Sequence, residues 1–334
     1  MRVAFFAADN FAIPLLRHLA ERGTLCCLVT QPDKPRGRGL KTSPLPIRSE
    51  AEKLGIDVLI DESLKSDKFR TAFTALKVDI PIVAAFSLYI PKWIRNWSPF
   101  PCINVHPSIL PRWRGADPVR RTIIEGDSKT GVTLHFTEKK MDTGDIIMMS
   151  PEMKIDQDIT YLEMREKLSS ESVTLVDNFL ERLSGVELSE SQEDTNHPGK
   201  AAIGSLFNSY PQDDLKATFA GKLTKNEPWI DWDQKAIEIH NLVRGLSPDP
   251  SARTGNPSHP LKILKTRFIE DPMASSLDSP GGILESDGDM LTIACGKDKI
   301  RIIEVQPAGR KAMSVKDFLN GYRLKPGDNI RNFK

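Results

Sequence analysis

Residues 2–30 read RVAFFAADNFAIPLLRHLAERGTLCCLVT. The apolar runs at 2–7 and 24–30 are typical of buried strands, and the leucines between them recur at helical spacing. Further strand-like runs follow at 57–60, 79–86 and 102–106. Strands that alternate with helices predict βαβ units, so we expect an α/β fold with a mostly parallel, open sheet.

The composition is that of a globular protein with more than one domain. The chain has 334 residues, of which 39% are hydrophobic and 27% charged, and this length favours two domains. No apolar run approaches the roughly 20 residues that cross a bilayer, and no signal-peptide pattern follows Met1. The 4 Cys include no C-x-x-C pair, so we expect neither a zinc site nor disulfides, and a reducing cytoplasm. Because the formal net charge is only +1, a nucleic acid would have to bind at a local basic patch.

The second half of the chain predicts a smaller domain. A polar, turn-rich stretch separates it from the first, and we place the domains at 1–188 and 207–334 with a linker at 189–206. Four short apolar runs follow in the second domain. They lie at 261–264, 282–285, 291–294 and 300–305. Strands at such spacing predict a small β-barrel.

A candidate catalytic cluster lies at the end of the fifth predicted strand. Asn104 and His106 are two residues apart, so their side chains would share one face of a strand. Asn can donate hydrogen bonds to an oxygen that gains negative charge, and His titrates near neutrality. Asp142 lies in a polar turn, from which its carboxylate would fix the tautomer of an imidazole and stabilise its protonated form. Each residue also has a structural interpretation, as a turn residue or a hydrogen-bonded core histidine.

A basic loop follows the second predicted strand. Residues 31–41 contain four basic residues, two Gly and two Pro, so we expect no regular structure there. The loop lies at the carboxyl end of a strand, which is the edge of an open α/β sheet where ligands bind. A charged loop is also commonly just solvated surface. Residues 7–12 contain no glycine, which argues against the G-x-G-x-x-G motif of a dinucleotide site.

Two motifs resemble those of the formyltransferases that use 10-formyltetrahydrofolate. They are Asn104-x-His106-x-Ser108-x-Leu110-Pro111-x-Trp113-Arg114-Gly115-Ala116 and Asp142-x-Gly144-Asp145. The basic loop, Ile230-Asp-Trp232 and Gln306-Pro-Ala-Gly-Arg-Lys-Ala-Met313 resemble segments of those family members that formylate methionyl-tRNA. The resemblance covers nearly the whole chain. It implies a Rossmann-like catalytic domain followed by a C-terminal barrel of the OB type.

The resemblance also implies an activity and its residues. The formyl group would pass from 10-formyltetrahydrofolate, a co-substrate, to the α-amino group of initiator methionyl-tRNA, without a metal, in a monomer of the bacterial-type cytoplasm. Asn104, His106 and Asp142 would be catalytic. Folate would be bound by Phe86, Ser87, Leu88, Tyr89, Ile90, Ser108, Leu110, Pro111 and Asp142. The tRNA would be bound by Lys34, Arg36, Arg38, Lys41, Lys222, Arg310 and Lys311.

Two segments depart from the family pattern. Ala7-Ala8-Asp9 stands where the family usually has Gly-Thr-Pro, and Ser87 stands where it usually has Gly. Both bear on folate affinity, since a side chain restricts backbone dihedral angles that glycine allows.

Two other interpretations stay open at this point. One is formyl transfer to another acceptor, such as an amino sugar or water, and the other is a noncatalytic RNA-binding protein. The basic loop and second domain argue against a small acceptor. The presence of Asn104, His106 and Asp142 together argues against a noncatalytic protein.

Overall fold

The computed structural model of the chain describes residues 1–33, 35–36, 41–186, 197–271 and 279–333. It divides into two compact units. The first comprises Met1–Pro118, Thr130–Met153 and Arg165–Ala220, and the second comprises Val119–Lys129, Lys154–Met164 and Gly221–Lys334. Among the described helices, none combines the length and apolarity that a membrane span requires.

The elements alternate in the first half of the chain as predicted. The strands are β1 Val3–Phe6, β2 Leu25–Thr30, β3 Pro35–Arg36, β4 Lys41–Thr42, β5 Val58–Ile60, β6 Ile80–Ala84, β7 Ile103–His106, β8 Arg114–Gly115, β9 Lys129–Thr130, β10 Thr133–Phe136, β11 Ile146–Met149, β12 Met153–Lys154, β13 Phe219–Ala220, β14 Ala252–Thr254, β15 Leu261–Ile269, β16 Ile283–Asp287, β17 Met290–Ala294, β18 Lys299–Gln306 and β19 Met313–Ser314. The helices are α1 Ile13–Glu21, α2 Pro46–Lys53, α3 Asp67–Ala75, α4 Lys92–Arg95, α5 Pro118–Ile124, α6 Tyr161–Leu183, α7 Pro198–Phe207, α8 Ala236–Leu246 and α9 Val315–Gly321.

The first unit is built on a seven-stranded, mostly parallel sheet, which confirms the predicted fold class. Its order is β11-β10-β7-β6-β1-β2-β5. The strands from β7 to β5 are parallel, whereas β10 is antiparallel to both β7 and β11. Every residue of β1 and β6 is buried, as expected of strands that are covered on both faces.

Aromatic side chains of α3 pack on one face of this sheet. The rings of Phe6 and Phe73 meet edge to face with their centroids 5.7 Å apart, and both side chains are fully buried. Burial of a Phe side chain stabilises the fold by about 2 kcal/mol. The other face is covered in part by α1, whose Leu15, Leu16 and Leu19 are buried. These are the leucines whose helical spacing predicted the helix.

The second unit is built on an antiparallel sheet. Its order is β14-β15-β18-β17-β16, and β19 pairs with β18. The four apolar runs of the sequence form β15 to β18. Trp232 and Phe318 lie in the core of this unit, and the indole N–H of Trp232 donates to Thr254 Oγ1 at 3.0 Å.

Two segments differ from the sequence interpretation. In the basic loop, where no regular structure was expected, β3 and β4 pair antiparallel over two residues each. Within the predicted linker 189–206, residues from Pro198 onward form α7, which groups with the first unit. Its Ile203 and Phe207 are four residues apart and buried, so helical packing overrides the polar composition. The proposed domain limits stay predictions, and residues 187–196 lie outside the described part of the chain.

Candidate active site

The three predicted catalytic side chains meet at the carboxyl end of β7. Asn104 and His106 share one face of this strand, and Asp142 lies in the turn between β10 and β11. Asn104 Nδ2 lies 3.2 Å from Asp142 Oδ1, and His106 Nδ1 lies 3.7 Å from Asp142 Oδ2. Only 5% of the His106 side chain and 9% of the Asp142 side chain are exposed. A polar cluster this well buried is typical of a site where charges are held in a fixed arrangement.

A second imidazole, which the sequence analysis missed, completes the cluster. His135 lies on β10 directly opposite Asn104 in the antiparallel pairing with β7. Its Nδ1 lies 2.9 Å from the Phe136 carbonyl oxygen, and its Nε2 lies 3.0 Å from Asn104 Nδ2. Since a carbonyl oxygen only accepts, Nδ1 donates to it, and in the tautomer with its proton on Nδ1 the ring accepts from Asn104 through Nε2, which also lies 3.5 Å from Asp142 Oδ1. His135 therefore fixes the direction of the Asn104 amide.

His106 is held by the loop that follows β7. Its Nε2–H donates to the carbonyl oxygen of Trp113 at 2.8 Å. Burial lowers the pKa of His106 and outweighs the negative charge of Asp142, which acts in the opposite direction. The sequence suggested that Asp142 would stabilise the protonated ring, but desolvation reverses the net effect. At neutral pH the ring is neutral, with Nδ1 as an acceptor beside the carboxylate.

Asp142 is ionised and fixed by backbone and side-chain donors. Gly115 N–H donates to its Oδ2 at 2.8 Å. Burial acts to raise the pKa of Asp142, but this pKa lies well below its ordinary value, because the positive charge of His106 in its protonated form, the contact with His135 and the Gly115 N–H all favour the carboxylate. Asp142 and His106 thus present two proton acceptors to the same space.

The predicted folate loop follows β6 at the same edge of the sheet. Ile90 is buried, and Phe86 packs edge to face on Phe6 with ring centroids 5.8 Å apart. Among the described residues, the backbone groups of 86–90 make no hydrogen bond to other backbone groups. An apolar loop whose backbone groups are not paired with the backbone of other described residues fits a flat, amide-rich ligand such as a pterin.

Both departures from the family pattern form contacts in the first unit. Ser87 Oγ accepts a hydrogen bond from Gln31 Nε2 at 2.6 Å, so the added hydroxyl joins the loop after β6 to the start of the basic loop. Asp9 accepts the N–H of Phe11 at 2.8 Å and pairs with Arg165. Asp9 therefore caps the short helical turn that leads into α1.

The remaining predicted folate residues lie in the loop after β7. Ser108 is buried and donates its hydroxyl hydrogen to the Arg112 carbonyl oxygen at 2.7 Å. Leu110 is also buried, and its N–H donates to Thr133 Oγ1 at 3.2 Å. Pro111 is half-buried. The contacts of Ser108 and Leu110 shape the loop that presents Trp113 to His106, and their contact with folate stays a prediction.

The predicted tRNA-binding residues belong to both units. In the basic loop, Arg36 lies in β3 and Lys41 in β4, whereas Lys34 and Arg38 lie outside the described residues. In the second unit, the side chains of Lys222, Arg310 and Lys311 are exposed. Exposed cations of this kind are available to phosphate groups.

The chain is similar to known proteins over nearly its whole length. The family model of formyl transferase matches residues 1–177, and that of the formyl transferase C-terminal domain matches residues 222–323. A methionyl-tRNA formyltransferase of Mesorhizobium japonicum is 36% identical over 98% of this chain and 98% of its own. One of Acetivibrio thermocellus is 34% identical over 98% of this chain and 99% of its own.

A solved structure shows the same fold. The N-formyltransferase of Helicobacter canadensis, in complex with folinic acid and dTDP-3-aminofucose, aligns with a TM-score of 0.63. It is 17% identical and covers 92% of this chain and 99% of its own. Asn104, His106 and Asp142 all lie within the segment that the first family model matches. The chain therefore belongs to the formyl transferase family.

Proposed function

We propose that this protein transfers the formyl group of 10-formyltetrahydrofolate to the α-amino group of initiator methionyl-tRNA. The convergence of Asn104, His106 and Asp142 in one buried cluster is the observation that carries the chemistry. Relatives with 34–36% identity over nearly the full chain are named methionyl-tRNA formyltransferases, which supports the acceptor. The product, N-formylmethionyl-tRNA, serves translation initiation.

The chemistry requires an uncharged amine, a donor for the oxygen that becomes negative, and a proton acceptor. Asn104 is the donor, and the oxyanion would replace its longer hydrogen bond, the 3.2 Å contact with Asp142. The proton that the amine loses passes to the pair formed by Asp142 and Nδ1 of the neutral His106. The same pair can return a proton to the departing folate nitrogen. The Trp113 carbonyl keeps His106 in the tautomer that this role needs.

Folate supplies the formyl group, and the loop of residues 86–90 is its proposed binding element. The backbone groups of this loop would bind the polar edge of the pterin, and its apolar side chains would contact the ring. Ser108, Leu110 and Pro111 would line the loop that faces it. The finding that Ser87 bonds to Gln31 means that its hydroxyl is already paired within the protein.

The tRNA is the proposed macromolecular partner, bound by the basic loop and by exposed cations of the second unit. Lys34, Arg36, Arg38 and Lys41 would contact the acceptor stem. Lys222, Arg310 and Lys311 would contact phosphates elsewhere on the tRNA. We place the reaction in the cytoplasm and expect a monomeric enzyme.

The test is formyl transfer measured under four conditions in parallel. Purified protein and 10-formyltetrahydrofolate are incubated with initiator methionyl-tRNA, with elongator methionyl-tRNA, with an amino sugar in place of tRNA, and without an acceptor. We expect formylmethionine on the initiator tRNA and little product in the three controls. Formate release that does not depend on tRNA would show a deformylase instead, and turnover of an amino sugar in place of tRNA would show a small-molecule formyltransferase.

A further inference from the structure

A glutamine outside both family-model matches contacts the catalytic loops. Gln212 lies in the segment between residues 177 and 222, which neither model covers. Its Nε2 donates to the carbonyl oxygen of Asp142 at 2.9 Å and to that of Gly144 at 2.7 Å. Its Oε1 accepts from Arg114 Nε at 2.9 Å. One half-buried side chain therefore joins the turn that carries Asp142 to the loop of residues 111–116, which contains Arg114.

Both joined segments have backbone conformations that need outside support. Asp142 has φ 54° and Trp113 has φ 65°. Residues with side chains rarely adopt positive φ, and such conformations persist only where the surrounding contacts define them. At Gly144, a Cβ atom would lie 1.8 Å from the Phe136 carbonyl oxygen, so this turn is pressed against the end of β10.

The catalytic side chains depend on these same backbone groups. The Trp113 carbonyl holds His106, and the Gly115 N–H holds Asp142. A relative movement of the two loops would alter both contacts at once. Displacement of a reacting group by even about 1 Å can reduce the rate by about 100-fold.

The backbone that follows Gln212 binds the same loop. Thr218 accepts the Trp113 N–H with its hydroxyl at 2.9 Å, and the Arg114 N–H with its carbonyl oxygen at 2.9 Å. The strand β13 then pairs parallel with β8. The segment 212–220 is thus built along the loop of residues 111–116, and Gln212 is its one described side chain that also reaches the Asp142 turn through two hydrogen bonds.

We propose that Gln212 is a positioning residue for formyl transfer. It holds the turn of Asp142 next to the loop of residues 111–116, so that His106 and Asp142 keep their relative positions. The activity test of this inference rests on the proposed function. The position of the loops can be tested without substrate.

The variants are Gln212→Ala, which removes all three bonds, and Gln212→Glu, which keeps the acceptor for Arg114 but turns an oxygen toward two carbonyl oxygens. Gln234→Ala removes the same side chain from an exposed position of the second unit and is the matched control. For both Gln212 variants we expect kcat to fall by about tenfold or more, because two donated hydrogen bonds are lost. We expect KM for folate to stay near the wild-type value, Tm to fall by a few degrees because the lost hydrogen bonds also stabilise the fold, and the control to behave as wild type.

The second readout is amide hydrogen exchange of Gly115 in the free protein. Its N–H is bonded to Asp142, so release of the turn should accelerate its exchange by about tenfold. A residue that only stabilises the fold would lower Tm while leaving kcat per folded molecule and the exchange at Gly115 unchanged.

The outcomes separate the two proposals. Wild-type kcat and wild-type exchange at Gly115 in Gln212→Ala would overturn the positioning role. If that variant does not fold, Gln212→Glu decides by the same two readouts. If the wild-type protein forms no formylmethionyl-tRNA, the proposed function fails, and the exchange at Gly115 still decides whether Gln212 holds the loops.

Discussion

At the scale of single residues, His135 determines what Asn104 can do. An asparagine amide carries two hydrogens, and in this site one points to His135 and the other to Asp142. In the proposed mechanism, His135 keeps the first hydrogen bonded while the second exchanges Asp142 for the oxyanion. Without that acceptor the amide could rotate, and the preorganisation on which such sites depend would be lost.

Replacement of His135 tests this arrangement. We expect His135→Ala to reduce kcat by about tenfold, the effect of losing one hydrogen bond that orients a catalytic group. His135→Gln places an amide oxygen near the former Nε2 and should recover part of the activity. The measurement is steady-state formylation with saturating folate and tRNA. Equal activity of His135→Ala and wild type would show that Asn104 is oriented by Asp142 alone.

The sequence could not reveal His135, although it revealed its partners. Asn104 and His106 stand in a short motif, and the alternation of a strand places them on one face. His135 lies within an apolar run, and its function depends on which residue of β7 it faces. That register is set by the antiparallel pairing of β10 with β7, in which His135 lies opposite Asn104. Long-range pairing of this kind is not encoded in local spacing.

At the scale of elements, α8 carries a polar face within the second unit. His240 is 2% exposed, with its Nδ1 2.9 Å from Thr266 Oγ1 and its Nε2 3.0 Å from the Gln157 carbonyl oxygen. Burial lowers the pKa of His240, and the positive charge of Arg244 adds to this, whereas Gln157 and Asp158 act in the opposite direction. The net result is an imidazole that is buried in its neutral form.

This burial makes stability depend on pH. In the unfolded chain His240 has its ordinary pKa, which lies above the folded value, so the unfolded state binds more protons as the pH falls. The stabilisation from neutral His240 is therefore complete above about pH 6.5, the ordinary histidine pKa, and is lost below it. Between pH 8 and pH 5 we expect the free energy of unfolding to fall less in His240→Gln than in wild type. The measurement is urea denaturation at the two pH values.

The control for this prediction is His259→Gln, which removes an exposed histidine of the same unit. The comparison is between the two pH values within each variant, so that a constant loss of stability cancels. A pH dependence in His240→Gln as steep as in wild type would assign the acid sensitivity to other groups.

At the scale of the whole molecule, the net charge of +1 restricts how tRNA can be bound. Long-range attraction by the protein as a whole is weak, so affinity must come from local contacts with phosphates. Such contacts release counterions, and each one makes affinity more dependent on salt.

The basic loop is therefore expected to determine the salt dependence. Arg38→Ala should reduce the slope of log affinity against log salt by about one. The measurement is tRNA binding between 50 and 200 mM salt. Lys65→Ala, which removes an exposed cation outside the predicted tRNA set, is the matched control. A slope unchanged in Arg38→Ala would remove this residue from the tRNA interface.

The architecture was more predictable than its short elements. The run 79–86 predicted β6, because burial on both faces leaves a continuous apolar signal, and the run 300–305 predicted β18, whose buried residues are interspersed with half-buried ones. The two-residue pairs β3 with β4 and β8 with β13 have no such signal, since they depend on loop closure. Gln212 was missed for the same reason. It lies in the predicted second domain, 207–334, and only the folded chain brings it to the turn of Asp142 in the first unit.

Single-turnover formylation of initiator methionyl-tRNA by the wild-type protein and by Asn104→Ala tests the reaction and its oxyanion donor together. The wild type should convert the tRNA to its formylmethionyl form. Asn104→Ala should be slower by about 100- to 1,000-fold, the usual effect of losing one oxyanion donor, with an unchanged Tm. Formylation by Asn104→Ala at the wild-type rate would exclude Asn104 as the oxyanion donor, and a wild-type protein that leaves initiator methionyl-tRNA unformylated would exclude the proposed function.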